Sequence, residues 1–140
     1  MIAVAESCTG GGVGEAITRV AGSSQWFERG FIAYTNHAKQ DMLKVSAATL
    51  LAHGAVSEQT AREMALGALA ASRADVSLSL TGIAGPGGAT PGKPVGTVCF
   101  AWARRAGENQ TETRHFSGDR AAIRRQAVEH VLRGILLFLK

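Results

Sequence analysis

The apolar run Ile2-Ala3-Val4-Ala5 stops at the polar cluster Glu6-Ser7-Cys8-Thr9 and is followed by three glycines, Gly10 to Gly12. A short buried strand closed by a tight turn has this pattern. From Gly12 the period changes. Val13, Ala16, Ile17 and Val20 fall at i, i+3, i+4 and i+7, which predicts a helix ending near Gly22. Phe31 to Tyr34 is the next strand, and Asn36 is placed to cap a short helix bearing Lys39, Met42 and Leu43. A second short helix runs from Ser46 to His53 and stops at Gly54. Ser57 caps a third, in which Ala61, Met64, Ala65 and Ala68 share a face small enough to lie close on a sheet.

Val76 to Leu80 alternates as a strand and opens into the Gly/Pro-rich loop 81–94. Val95 to Trp102 and Thr111 to Phe116 are strands joined through Gly107-Glu108-Asn109, and should pair antiparallel. After Ser117-Gly118-Asp119, the residues Ile123, Ala127, Val131, Ile135 and Phe138 outline the buried stripe of a C-terminal helix, widened by Val128, Leu132 and Leu139. The order β-α-β-α-α-α-β-β-β-α predicts an α/β domain: a mixed sheet of about five strands with helices on both faces. In such sheets ligands collect where strands end. Loops 6–12, 81–94 and 117–119 are therefore the expected site walls.

The 140 residues suit one domain over 1–140, and 46% hydrophobic with 19% charged residues excludes a disordered chain. A net charge of +4, with the arginines gathered only from Arg104 onward, favours anionic ligands mildly and does not make a nucleic-acid binder. Two cysteines without CxxC spacing exclude a disulfide scaffold and most zinc sites. No apolar run approaches the ~20 residues of a membrane span, and the N-terminus lacks signal-peptide character. The expectation is a cytoplasmic protein without membrane or nucleic-acid partners.

The turn at 6–12 offers backbone N–H groups at a helix start, suited to an anion or a developing oxyanion, with Ser7 beside them. A serine needs a base to become a nucleophile; alternatively Ser7 and Thr9 simply bond the turn's own backbone. Cys8 is the rival, next to the same positive helix end that depresses a thiol pKa, although neighbours in a strand-turn should not both face one pocket. His37, His53, His115 and His130 are scattered and fit surface or edge positions. Lys39, next to a buried strand, could be desolvated into a neutral base. Tyr34, the one tyrosine, either covers the sheet edge or places a proton between Ser7 and Lys39. Ser117-Gly118-Asp119-Arg120, with Arg124 and Arg125 beyond, suits a phosphate or carboxylate, or is an Asp119 cap with solvated arginines. The carboxylates show no defensible metal-ligand spacing.

Five segments in order, AESCTGGGVGEAIT, GSSQWFERGFIAYTNHAKQDML, HGAVSEQTAREMA, LTGIAGPGGATPGKPVGTVCFA and HFSGDR before a helix, resemble the CinA C-terminal domain family over nearly the whole chain. Characterised members are nicotinamide-nucleotide amidases. The resemblance implies a three-layer α/β/α domain that hydrolyses the carboxamide of nicotinamide mononucleotide to nicotinate mononucleotide and ammonia, with neither metal nor cofactor. It also implies a Ser/Lys pair, which falls by motif on Ser7 and Lys39, with Tyr34 in the same stretch. The oxyanion would be held by the Gly10 to Gly12 turn. Thr9, Gly10, Gly11, Thr81, Gly85, Gly118 and Arg120 are the expected substrate-binding residues, the 5′-phosphate falling to Gly118, Arg120 or the Gly85 loop. A non-catalytic nucleotide-binding domain of the same fold is the alternative. Family members usually carry a helix ahead of the first strand, whereas this chain starts almost at the strand, so an uncovered apolar face and a homo-oligomer are expected. The molybdopterin-binding-like domain of larger members, and the pyrophosphatase activity attributed to it, are not expected here.

Overall fold

A computed structural model describes all residues, Met1–Lys140. The strands are β1 (Ile2–Glu6), β2 (Phe27–Ile32), β3 (Val76–Gly82), β4 (Thr97–Arg104) and β5 (Asn109–His115). The helices are α1 (Gly12–Thr18), α2 (Asn36–Leu43), α3 (Ala47–His53), α4 (Glu58–Ala70) and α5 (Arg120–Phe138). One mixed sheet has the order β2-β1-β3-β4-β5, with β1 parallel to both neighbours and β4 antiparallel to β3 and β5. The α/β class, the five strands and the antiparallel β4–β5 pair agree with the sequence reading.

The alternation of each central strand decides which helix lies on which face. Ile2 and Val4, Leu78 and Leu80, and Val98, Phe100 and Trp102 project to one side, where Val13 and Ile17 of α1 and the stripe Ile123, Ala127, Val131, Ile135 and Phe138 of α5 cover them. The other side shows Ala3, Ala5, Cys99, Ala101 and Ala103 to α2 and α4. Small residues there let α4 approach closely enough for Ser77 Oγ of β3 to donate to the Ala65 carbonyl at 2.7 Å. This satisfies a hydroxyl that is fully buried. Closest is Gly67, where a Cβ would lie 2.0 Å from the Leu43 carbonyl oxygen at the end of α2. Gly67→Ala should therefore cost roughly 1–3 kcal/mol by overpacking, a fall of about 4–12 °C in melting temperature, measurable by calorimetry.

Several boundaries differ from the sequence reading. The second strand is Phe27–Ile32, not 31–34: an edge strand pairs on one side only, so it tolerates the polar Glu28-Arg29 and needs Gly30, where a Cβ would press on Val4 at 2.9 Å. Thr35 rather than Asn36 caps α2, accepting from the Ala38 N–H at 3.0 Å. Helix α1 ends at Thr18, which leaves Val20 58% exposed instead of buried. Leu139 lies past the end of α5 and is exposed. Strand β4 starts and ends two residues later than expected and β5 starts two residues earlier and ends one earlier, since the hairpin connection is tighter, with Arg104 N–H donating to the Glu108 carbonyl at 2.8 Å. The caps at Ser57 and Asp119 are as expected, accepting from Thr60 N–H and Ala122 N–H.

The connections leaving β1 and β2 run on opposite faces of the sheet, through α1 on one side and through α2 to α4 on the other. The carboxyl end of β1 is thus the point where strand order reverses, the place in an open α/β sheet where loops part and leave a crevice. Ser7 follows β1, Tyr34 follows β2 and the loop from Ile83 follows β3.

Candidate active site

Ser7 lies just past β1, its N–H still bonded to the Leu80 carbonyl at 3.2 Å, so its backbone is tied to the sheet. The Thr35 cap turns the chain into α2 and sends the fourth helical residue, Lys39, inward. That side chain reaches between the layers and is 1% exposed. Its ammonium nitrogen sits 3.1 Å from Ser7 Oγ and 3.0 Å from the Tyr34 carbonyl oxygen. Ser7 Oγ is itself 3.5 Å from that carbonyl. No carboxylate pairs with Lys39, and burial holds its pKa below the ordinary lysine range. An amine whose charged form burial disfavours, within hydrogen-bond distance of a serine hydroxyl, is the arrangement of a base and its nucleophile.

The pair opens into a cavity of about 240 Å³. Its walls include Ser7, Cys8, Tyr34, Asn36 and Lys39, Ala55 and Val56 from the α3–α4 turn, Thr81 to Gly85 from the end of β3 and the loop after it, and Arg120 at the start of α5. Thr81 Oγ1 donates to the Ala55 carbonyl at 2.9 Å, joining two of these walls. Arg120 donates to the Gly85 carbonyl at 2.8 Å and lies 3.4 Å from the Tyr34 hydroxyl, so it closes one side of the mouth.

Of the residues singled out in the sequence, Ser7, Lys39, Tyr34, Thr81, Gly85 and Arg120 come together here. Thr9, Gly10, Gly11 and Gly118 do not line the cavity. Thr9 Oγ1 turns inward to Glu6 at 2.6 Å, and the N–H groups of Gly10 and Gly12 are bonded to the Ser7 and Thr9 carbonyls. The glycine turn therefore does not present those amides to the cavity. Gly118 has φ of 113° and serves the bend into α5, where a Cβ would meet Ala122 at 2.8 Å. Tyr34 also differs from expectation: its carbonyl, not its hydroxyl, touches the Ser7/Lys39 pair, while the half-exposed ring points its hydroxyl at Arg120.

Ser7 and Cys8 both reach the cavity wall, against the expectation that only one would. The helix end does not activate Cys8. Burial pushes its thiol up to about 11, outweighing Arg124 and Lys39 nearby. None of the four histidines lines the cavity; His130 is engaged with Glu112 at 2.7 Å, at the edge of the Phe100, Trp102 and Phe116 rings. Ile83 and Ala84 belong to the 81–94 loop expected as a wall, whereas Asn36, Ala55 and Val56 were not expected in the site; they lie beside recognisable caps and a glycine and have no chemical signature of their own.

The family model of the CinA C-terminal domain matches residues 1–139. The chain belongs to this family. Within the CinA relatives, it is 56% identical over 131 residues to nicotinamide-nucleotide amidohydrolase PncC of Escherichia coli K12, covering 94% of this chain and 79% of that protein. It is 48% identical to the protein of the same name from Pseudomonas putida, over 96% of this chain and 84% of that one. The crystal structure of the competence/damage-inducible protein CihA from Agrobacterium tumefaciens superposes with a TM-score of 0.97 at 46% identity, over all of this chain and 86% of that one. The three-layer arrangement is thus that of the CinA proteins.

Proposed function

We propose that this protein is a nicotinamide-nucleotide amidohydrolase that converts nicotinamide mononucleotide and water to nicotinate mononucleotide and ammonia, with Ser7 as nucleophile and Lys39 as base. The observation that carries the chemistry is the buried Lys39 amine 3.1 Å from Ser7 Oγ with no carboxylate to keep it charged. Neutral Lys39 accepts the Ser7 proton while Oγ adds to the carboxamide carbon. As the tetrahedral adduct collapses, the C–N bond breaks and Lys39 returns the proton to the departing ammonia. Water, giving its proton to Lys39, then hydrolyses the Ser7 ester, and the proton passes back to Oγ as the acid leaves. Tyr34 supports the pair through its carbonyl, which orients the Lys39 amine.

Stabilisation of the oxyanion needs N–H donors that the fold has not used. The backbone N–H groups of Cys8, Ala84 and Gly85 make no hydrogen bond within the chain, and all three residues are in the cavity wall. We assign the oxyanion to the Cys8 N–H, the amide that follows the nucleophile, in place of the Gly10 to Gly12 turn. Arg120, with Thr81 and Gly85 beside it, offers the cationic seat for the 5′-phosphate.

Incubated with nicotinamide mononucleotide, the protein should release one ammonia per nicotinate mononucleotide formed, undiminished by exhaustive chelation, since no three His, Cys, Asp or Glu side chains converge anywhere. No release at all would favour a non-catalytic nucleotide-binding domain. Self-association is part of the proposal: Met1, Trp26, Leu136 and Leu139 are exposed around an apolar hollow floored by Ile2, Val76 and Ile135. Covering it returns several kcal/mol per few hundred Å² at ~25 cal/mol per Å², before association costs. Sedimentation velocity at micromolar concentration should show a dimer or larger, and a monomer would contradict this. No helix is long and apolar enough to cross a membrane. Both cysteines are free and buried, which suits the reducing cytoplasm.

A further inference from the structure

The turn that presents Ser7 is gripped from two sides by charged side chains that the chemistry above does not use. On the inner side is the Glu6 carboxylate, 1% exposed. One oxygen accepts from Thr9 Oγ1 at 2.6 Å and the Val13 N–H at 2.9 Å, and the other from the Gly14 N–H at 3.0 Å. Two of these donors are first-turn amides of α1, so the positive end of that helix is spent on Glu6. On the outer side is Arg124 of α5, whose Nε and Nη2 donate to the Cys8 and Thr9 carbonyls, each at 3.1 Å. It forms no ion pair, and its planar fork spans two successive peptide carbonyls. Between these two anchors Gly10 takes φ of 57°, the left-handed turn conformation that favours glycine.

We infer that Glu6 and Arg124 are positioning residues for amide hydrolysis, resting on the reading of Ser7 as nucleophile. Glu6 anchors the turn to α1 and Arg124 anchors it to α5. The peptide planes from Ser7 to Thr9 are thereby fixed, with Oγ held on the Lys39 amine and the Cys8 N–H held where the oxyanion forms. Neither residue lines the cavity that holds the nucleophile and base. A nucleophile displaced by about 1 Å loses on the order of a hundredfold in rate. A Glu6→Gln side chain would turn one acceptor into an N–H₂ donor facing one of the turn's own donors. An Arg124→Lys ammonium, a point charge, can satisfy one carbonyl but not both with the same geometry.

The test compares Glu6→Gln, Arg124→Lys and Arg124→Met with the unaltered protein by melting temperature and by three further readouts. These are kcat and KM for nicotinamide mononucleotide per folded chain, the rate of Ser7 labelling by a fluorophosphonate, and the pH profile. The labelling reports nucleophile activation whatever the true substrate is, with Ser7→Ala as the blank. The expected result is a fall of about ten- to a hundredfold in kcat, matched in labelling, with KM within about twofold and the alkaline rise in rate at an unchanged pH. Arg124→Lys should be nearly as slow as Arg124→Met. Four results would overturn the inference: a lowered melting temperature with kcat and labelling intact, a rise in KM alone, full rescue by Arg124→Lys, or a shifted pH limb. Should Glu6→Gln fail to fold, the two Arg124 variants, on the partly exposed side of α5, decide it. An unaltered protein that labels at Ser7 but releases no ammonia would refute the substrate reading and leave the labelling comparison to judge the positioning role.

Discussion

Lys39→Met should abolish turnover to within a small residue, a loss of about a thousandfold or more, and Ser7→Ala should lose about as much. The double variant should be scarcely worse than either single one, because two groups acting in one step cannot be lost twice. Methionine keeps the apolar stem of the lysine in a site where the side chain is buried, so the fold is expected to survive. It also removes an amine that is costly to charge in that position, and Lys39→Met should melt no lower, and at neutral pH higher, than the unaltered protein. Cys8→Ser should retain activity, and iodoacetamide at neutral pH should leave the enzyme working, since the thiol is held up near 11 by burial. The checks are steady-state ammonia release per folded chain and calorimetry. Additive losses in the double variant would show that the two residues do not share a step.

The rate should climb tenfold per pH unit on the acid side and level off once Lys39 is neutral, at a pH below the usual lysine value of about 10.4. The sign follows from burial, which disfavours the ammonium and so lowers the folded-state pKa. Between that lowered value and about 10.4 the unfolded chain binds more protons at this site than the folded one. This site's contribution to stability therefore rises with pH across the same window, and is least below it, where the buried amine must be charged. Activity and stability should thus increase together on the alkaline limb, and Lys39→Met should flatten the stability profile. A pH–rate profile paired with melting temperatures over the same range tests both. An alkaline limb that persists unchanged in the residual activity of Lys39→Met would contradict the assignment of the base to Lys39.

How far the molecule could be read from its residues depended on whether the decisive physics was local. Helix caps at Ser57 and Asp119, the apolar stripe of α5 and the alternation of β3 are local patterns and came out as expected. Strand β2 was displaced, because an edge strand beside a glycine has no continuous apolar signal. The motif resemblance picked out Ser7 and Lys39, and their contact lies in the tertiary arrangement, where α2 passes over the end of β1. By contrast, the glycine turn suggests an anion site from its sequence alone. Only the fold shows that Glu6 already occupies the amides of Val13 and Gly14 and that Gly10 and Gly12 close on the turn itself. Likewise Arg120 and Arg124 look alike on paper. One faces the cavity and the other braces two carbonyls, a difference set by the packing of α5 against the turn.

The most direct test of the Ser7/Lys39 account is to catch the covalent intermediate. The protein mixed with nicotinamide mononucleotide is quenched in acid on the millisecond scale, digested and fragmented in a mass spectrometer. The account predicts an ester of nicotinate mononucleotide on Ser7, formed as the first ammonia is released and absent from Ser7→Ala. An adduct on Cys8, or ammonia release by Ser7→Ala at the unaltered rate, would contradict it.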